Sequence, residues 1–235
     1  TYWNRETAYN SFGFDKFYYN AFYSTDKTVG WGINDIDFFK ESVAYLKELP
    51  QPFYSMMVTV SSHYPFGSFN HENRVDTGAY EDTQVNSYLE DMAYLDIAIG
   101  TLVDELKAAN LYDNSVIVFY GDHRGLRDDV NEELTSFLSM ENNSVSVIGE
   151  LTKIPLIVAV PGADVNKEVT IPGGQVDIMP TVLNLLGVEN KYMMGKDLLN
   201  TNDDMAILRN GSFITTDYIY SSDEEKAFDR ASGEE

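Results

Sequence analysis

The sequence contains no cysteine, only three histidines, and 16 basic residues against 38 acidic ones. Without cysteine there can be no disulfide, no thiolate nucleophile and no thiolate metal ligand. A formal net charge of −22 disfavours nucleic acid as a partner and gives no general attraction to anionic lipid. An anionic substrate would therefore need local positive charge from a metal, an arginine or a histidine. No stretch approaches the roughly 20 apolar residues that span a bilayer, and nothing resembles a signal peptide. The chain opens at Thr1-Tyr-Trp-Asn-Arg rather than at Met, which reads as a piece from which a targeting segment has been lost. No repeat, low-complexity block or linker divides the 235 residues, and an apolar fraction of 43% is enough for a real core.

What is present alternates between short apolar runs and helical patterns. Residues 1–34 are crowded with aromatics that have no clean period, and read as helical turns and packed loops. Trp3 and Arg5 stand two apart, so in an extended segment they would point the same way, a flat ring beside a guanidinium. Residues 35–49 read as a helix capped by Asn34 or Asp35 and closed by Pro50 and Pro52. Residues 53–60 read as a buried strand that runs into Ser61-Ser-His63. Residues 80–110 carry the clearest helical period, with Tyr88, Met92, Leu95, Ile99, Leu102 and Leu106 on one face and the acidic residues, Glu90 and Asp91 among them, on a solvated one. This helix predicts a crossover between parallel strands at 53–60 and 115–120. Residues 141–153 read as polar and mobile, and 154–160 as a third strand. Residues 173–187 read as a helix entered through a glycine pair. Residues 206–220 read as a hairpin with a two-residue turn at Asn210-Gly211, and 221–235 as a frayed tail.

The chemistry concentrates in Ser115-Val-Ile-Val-Phe-Tyr-Gly-Asp-His-Arg-Gly125. A short β-branched and aromatic run reads as a strand covered on both faces. It ends abruptly in Asp122 and His123 between glycines that permit a sharp turn. In open α/β sheets ligands collect at the carboxyl ends of strands. A carboxylate beside an imidazole there suits Zn²⁺ or Mn²⁺. The plainer alternative is an ordinary turn, with the Asp bonded to its own backbone. His63 also falls at a strand end, and parallel neighbours would bring two such ends together; His71 reads as a surface residue. Ser61 and Ser62 beside His63 suggest Ser/His catalysis only superficially, because no orienting carboxylate or nucleophile elbow stands at a recognisable spacing.

Taken in order, Trp3-Asn-Arg5, Phe12-Gly-Phe-Asp-Lys-Phe17, Ser62-His-Tyr-Pro-Phe66, Leu111-Tyr-Asp-Asn-Ser-Val-Ile, Tyr120-Gly-Asp-His123, Gly174-Gln-Val-Asp-Ile-Met-Pro-Thr181 and Arg209-Asn-Gly-Ser-Phe-Ile214 resemble the lipoteichoic acid synthase family of phosphoglycerol transferases. That family belongs to the sulfatase-like part of the alkaline phosphatase superfamily. The resemblance covers nearly all of residues 1–220. It implies an α/β fold, a mainly parallel sheet flanked by helices with a C-terminal β-hairpin, and makes 1–235 the C-terminal portion of one catalytic domain.

By the same resemblance Asp122 and His123 match a metal-binding pair, for Mn²⁺ first and Mg²⁺ or Zn²⁺ otherwise. Trp3, Arg5 and His63 match positions that hold glycerol phosphate, with Arg5 and His63 also serving the reaction. The implied enzyme is anchored in the bacterial membrane by N-terminal helices and works at its extracellular face. It takes the phosphatidylglycerol head group through a covalent threonine intermediate to a polyglycerolphosphate-type acceptor. The threonine and a metal-binding glutamate would precede Thr1, so this fragment alone is expected to be inactive. Arg124 stands where a tyrosine is common. Alternatives are a sulfatase or phosphoethanolamine transferase of the same superfamily, or a catalytically dead glycerol-phosphate-binding module. A two-metal phosphatase needs more ligands than His63, His71 and His123 can help supply.

Overall fold

A computed structural model describes residues 4–23, 28–67, 75–163 and 165–235. Two compact units emerge, Thr1–Asn114 and Ser115–Glu235, and each is built on its own core.

In the first unit, α1 (Arg5–Ser11) is followed by a small antiparallel pair, β1 (Thr28–Val29) and β2 (Gly32–Ile33). Two helices then form the core, α2 (Asp35–Lys47) and α3 (Gln84–Ala108). Phe39, Val43 and Leu46 of α2 are buried, as are Val85, Tyr94, Ala98, Leu102 and Leu106 of α3. Asn34 is the N-cap of α2: its Oδ1 accepts from Asp37 N–H at 3.0 Å and from the Tyr94 hydroxyl at 3.0 Å. The cap alternative is thereby resolved, and Asp35 is released for another task.

The buried stripe of α3 differs from the one read in the sequence. Tyr94 and Ala98, rather than Leu95 and Ile99, are buried, a rotation of one position around the helix. Glu90 and Asp91 are also buried rather than solvated. They accept backbone N–H groups of the long connection before α3: Val75 N–H donates to Glu90 at 2.8 Å and Gly67 N–H to Asp91 Oδ2 at 3.0 Å. Buried amides must find an acceptor, and here two carboxylates supply it.

Residues 53–60 form no strand ladder among the described residues. Tyr54, Met56 and Val58 are exposed while Phe53, Met57 and Thr59 are half-buried. The expectation of a fully covered strand is corrected, because a central strand needs hydrogen-bonded neighbours on both edges.

The second unit contains β3 (Ile117–Tyr120), α4 (Asn131–Phe137), α5 (Ser144–Ser146), β4 (Leu156–Ala159) and α6 (Ile178–Leu185). Its sheet C-terminal to these is β5 (Ala206–Ile207), β6 (Phe213–Ile214), β7 (Tyr218–Ser221) and β8 (Lys226–Asp229). β3 pairs with β4 antiparallel, Ile117 opposite Ala159 and Tyr120 opposite Leu156. All strand pairs among the described residues are antiparallel. The α/β class and the C-terminal hairpin stand, but the pairing observed is not the expected parallel one. The connection after β3 returns to the end where β3 stops, whereas a parallel neighbour needs a crossover to the opposite end. β3 is also only half-buried, with Tyr120 exposed.

Two further expectations are corrected here. Residues 141–153 are not a mobile polar stretch: α5 continues into a π-turn, Val147–Leu151, whose Ile148, Gly149 and Leu151 are buried. A Cβ on Gly149 would lie 2.6 Å from Ile219 Cδ1, so the missing side chain lets the turn press onto β7. Residues 221–235 are not simply frayed, since β8 pairs with β7 along Tyr218–Ser221. The hairpin turn also differs in detail. Leu208 N–H donates to Ser212 O and Gly211 N–H to Leu208 O, so the loop is Arg209-Asn210-Gly211 with Gly211 at φ +91°. A three-residue loop ends in such a left-handed glycine.

Candidate metal-ligand turn and phosphate-binding loop

Gly121 continues the β3–β4 ladder for one bond, its N–H donating to Pro155 O at 3.1 Å. A Cβ at this position would come within 3.0 Å of Ile154 Cβ, which explains the glycine. The chain then leaves the sheet and presents Asp122 and His123. His123 Nδ1 lies 2.6 Å from Arg124 O. A carbonyl can only accept, so Nδ1 carries a proton, and in the neutral ring Nε2 then holds the lone pair. Nε2 stands 3.7 Å from Asp122 Oδ1, both side chains being mostly exposed.

This donor set fits a divalent cation. An imidazole nitrogen and a carboxylate oxygen face one another, and ligand bonds of about 2.1 Å put adjacent donors roughly 3–3.5 Å apart. Fixing the ligand's other ring nitrogen on a backbone carbonyl is the usual arrangement at metal-binding histidines. The described residues contain no group of three or more His, Asp or Glu side chains able to hold a metal. Asp122 and His123 are thus a two-donor half of a site.

Arg124 does not face these donors with a free guanidinium. It donates to Asp128 Oδ1 at 2.8 Å and Asn131 Oδ1 at 2.6 Å, so it staples the turn to the start of α4. From another side Gln175 Nε2 donates to Gly121 O at 3.1 Å and also to Asp122 O. Gln175 is set by its neighbours in the Gly174–Thr181 segment. Buried Asp177 accepts from Gly174 N–H through Oδ2 and from Lys196 N–H through Oδ1, each at 2.8 Å. Thr181 hydroxyl donates to Asp177 O and accepts from Leu198 N–H. Gly195, at φ +86°, lies against this knot, where a Cβ would be 2.4 Å from Val176 O.

In the first unit His63 sits on a tight corner after residues 53–60. Asp35 makes that corner. Its carboxylate accepts from Val60 N–H at 3.0 Å and Ser61 N–H at 3.2 Å, and its own N–H donates to Ser61 Oγ at 2.9 Å. Asp35 is fully buried, and that burial raises its pKa against the pull of these donors. Ser61 is buried in the same bonds, a structural role in keeping with the weak case for Ser/His catalysis. Asp91 holds the far end of the loop at Gly67.

His63 itself is exposed, its Nδ1 2.6 Å from Tyr64 O. The Trp31 ring lies 4.9 Å from it at a tilt of 38°. Trp31 was not singled out in the sequence, because a turn residue of the β1–β2 pair carries no periodic signal. Arg5 is exposed at the first residue of α1. It is helical, not extended, after Asn4 at φ 50°. Trp3 and His71 lie outside the described residues.

Asp91 gives a pH signature. It is 1% exposed, and burial raises its pKa from 3.8 to about 6, with Gly67 N–H opposing and Glu90 adding to the rise. The folded state therefore holds this proton more tightly than the unfolded one. Below the unfolded value no penalty exists; as pH rises from about 4 through 6 the penalty develops and stability falls. At full size it is roughly 2–3 kcal/mol. Asp91→Asn keeps an acceptor for Gly67 and removes the titration. Urea denaturation should show the variant gaining on the wild type between pH 4 and 6.5 and keeping that gain, without further change, above that. A difference independent of pH would contradict the assignment.

Comparison with known proteins gives the chain its family. A family model described as Sulfatase matches residues 1–188. The chain belongs to the sulfatase family. Within that family it is 40% identical over 228 residues to the lipoteichoic acid synthase-like protein YvgJ of Bacillus subtilis (strain 168), covering 94% of this chain and 37% of that protein. It is 38% identical over 225 residues to the lipoteichoic acid synthase of Staphylococcus saprophyticus, covering 94% and 34%. The crystal structure of lipoteichoic acid synthase LtaP from Listeria monocytogenes superposes with a TM-score of 0.85 at 31% identity, covering 98% of this chain and 60% of that one. The sulfatase-family chain thus spans about a third of the length of the curated relatives it matches. No helix among its described residues is long and apolar enough to cross a membrane.

Proposed function

We propose that this sulfatase-family chain is part of a metal-dependent phosphoglycerol transferase of the lipoteichoic acid synthase type. The observation that carries the reading is the Asp122–His123 pair, with Nε2 and Oδ1 facing each other on a turn held from three sides. Its likeness to proteins named lipoteichoic acid synthase supports the choice of reaction. The donor is phosphatidylglycerol, the acceptor a polyglycerolphosphate-type chain, and the place of action the extracellular face of a membrane to which the whole polypeptide is anchored.

Phosphoryl transfer asks a protein mainly to position groups and offset charge. Asp122 and His123, with further ligands from outside this chain, would hold a divalent cation, Mn²⁺ first, which would supply Lewis acidity that eases deprotonation of an attacking hydroxyl. That hydroxyl belongs to a threonine outside the chain; it attacks phosphorus, and diacylglycerol departs. The acceptor hydroxyl then displaces the threonine. Arg5 neutralises non-bridging phosphate oxygens through a forked contact. His63 donates to a phosphate oxygen or protonates the departing glyceride, and Trp3 packs on the glycerol. This chain without the remainder of the active site is expected to be inactive.

Donor choice tests the reading. In the full-length gene product, labelled phosphatidylglycerol should yield diacylglycerol and a lengthened acceptor, while phosphatidylethanolamine and aryl sulfate should not react. Turnover of either of those two in place of phosphatidylglycerol would overturn it. Glycerol phosphate binding without turnover would instead mark a silent binding module. His63→Ala should lower kcat by about 100-fold or more, the scale of a lost proton donor, with bound metal unchanged. Loss of metal in that variant would remove the role given to His63.

A further inference from the structure

We infer that Gln175 is a positioning residue for Asp122 and His123, holding the ligand turn through its side-chain amide. The inference rests on the metal-binding reading of that pair and concerns what fixes it.

Gly121 stands opposite Pro155, which has no N–H to return to its carbonyl, and Asp122 lies past the β3–β4 ladder, so the sheet offers neither carbonyl a donor. Gln175 Nε2 donates to both. A primary amide carries two N–H groups on one nitrogen, which suits two successive carbonyls. Because both partners only accept, the amide nitrogen rather than its oxygen must face them. Glutamate at this position would set a carboxylate against two carbonyl oxygens, and asparagine would fall a methylene short. Asp122 and His123 are mostly exposed, so the backbone of the turn governs where their donor atoms stand. Gln175 begins the turn Gln175–Asp177 that leads into α6, and Asp177 locks that turn to Gly174 and Lys196. The ligand turn is thereby tied to a hydrogen-bonded knot 53 and 54 residues downstream, as outer-shell partners of metal ligands commonly are.

The test uses the full-length gene product and two variants, Gln175→Leu and Gln175→Glu. Mn²⁺ affinity is measured by titration, and deuterium uptake of peptides covering residues 119–126 is followed without metal. Both variants should bind Mn²⁺ about 10- to 100-fold more weakly, with faster deuterium uptake in the turn and an unchanged thermal midpoint, since Gln175 is exposed. Wild-type affinity together with wild-type uptake would overturn the inference. If the wild type bound no Mn²⁺, the metal reading would fall on its own. Deuterium uptake would then decide whether Gln175 holds the turn: faster uptake would support that, and unchanged uptake would refute it.

Discussion

Replacing Asp122 or His123 with alanine should abolish head-group transfer, a loss of at least about 10³-fold in kcat/KM, while leaving the fold intact. Both side chains are mostly exposed and neither supports the core, so their removal costs little stability. Each, however, contributes one of the two facing donors found among the described residues. A metal site deprived of a ligand loses both occupancy and the Lewis acidity that phosphoryl transfer uses, several kcal/mol of transition-state stabilisation. The two variants should fail alike, because either loss empties the same site; the double variant should be no worse than either single one. Bound Mn²⁺, measured on purified protein beside circular dichroism, checks this. Full occupancy in either variant would detach these residues from the metal.

Asp35→Ala should produce the largest loss of stability among the substitutions considered. Its carboxylate accepts the N–H groups of half-buried Val60 and buried Ser61, and its removal leaves both without that acceptor. Orphaned buried donors cost roughly 1–3 kcal/mol each, about 3 kcal/mol together once relaxation is allowed. For a protein of this size that lowers the thermal midpoint by about 6–12 °C. Asp35→Asn should cost less, since one carbonyl oxygen remains and no charge is buried. Because the corner carries His63, Asp35→Ala should also raise KM for the lipid donor at temperatures where the variant is still folded. Equal midpoints for Asp35→Ala and wild type would mean that the corner is held by other contacts.

These two cases mark what could and could not be read from the residues. Asp122 and His123 are adjacent in sequence and follow a short apolar run, so local pattern draws the eye to them, while the metal role proposed for them comes from the family resemblance. The helices α2 and α3 were legible for the same reason, periodicity over many residues, and the cap of α2 was narrowed to Asn34 or Asp35. Asp35 was not legible as a corner-holder, because its partners lie 25 and 26 residues later and nothing in the spacing links them. Glu90 and Asp91 look like ordinary members of a solvated face until the amides of Gly67 and Val75 are seen to need them. Gln175 is an exposed polar residue in the sequence and a partner of two carbonyls in space.

Strand context failed in a related way. Apolar content alone does not state which neighbours cover a strand, so residues 53–60 and β3 read as more deeply buried than they are. The polar stretch 141–153 hid Ile148 and Leu151, whose packing depends on Gly149 meeting Ile219 from a sheet 70 residues away. Local signals thus gave element types, and hydrogen-bond partners at long range gave the site its support.

The central claim is tested most directly by removing and restoring the metal during head-group transfer. The full-length gene product is stripped with EDTA, supplied with labelled phosphatidylglycerol, and assayed for diacylglycerol before and after Mn²⁺ is added. The account predicts no release from the stripped protein, recovery with Mn²⁺ in the wild type, and no recovery in Asp122→Ala. Release from the stripped protein at the wild-type rate, or full recovery in Asp122→Ala, would contradict it.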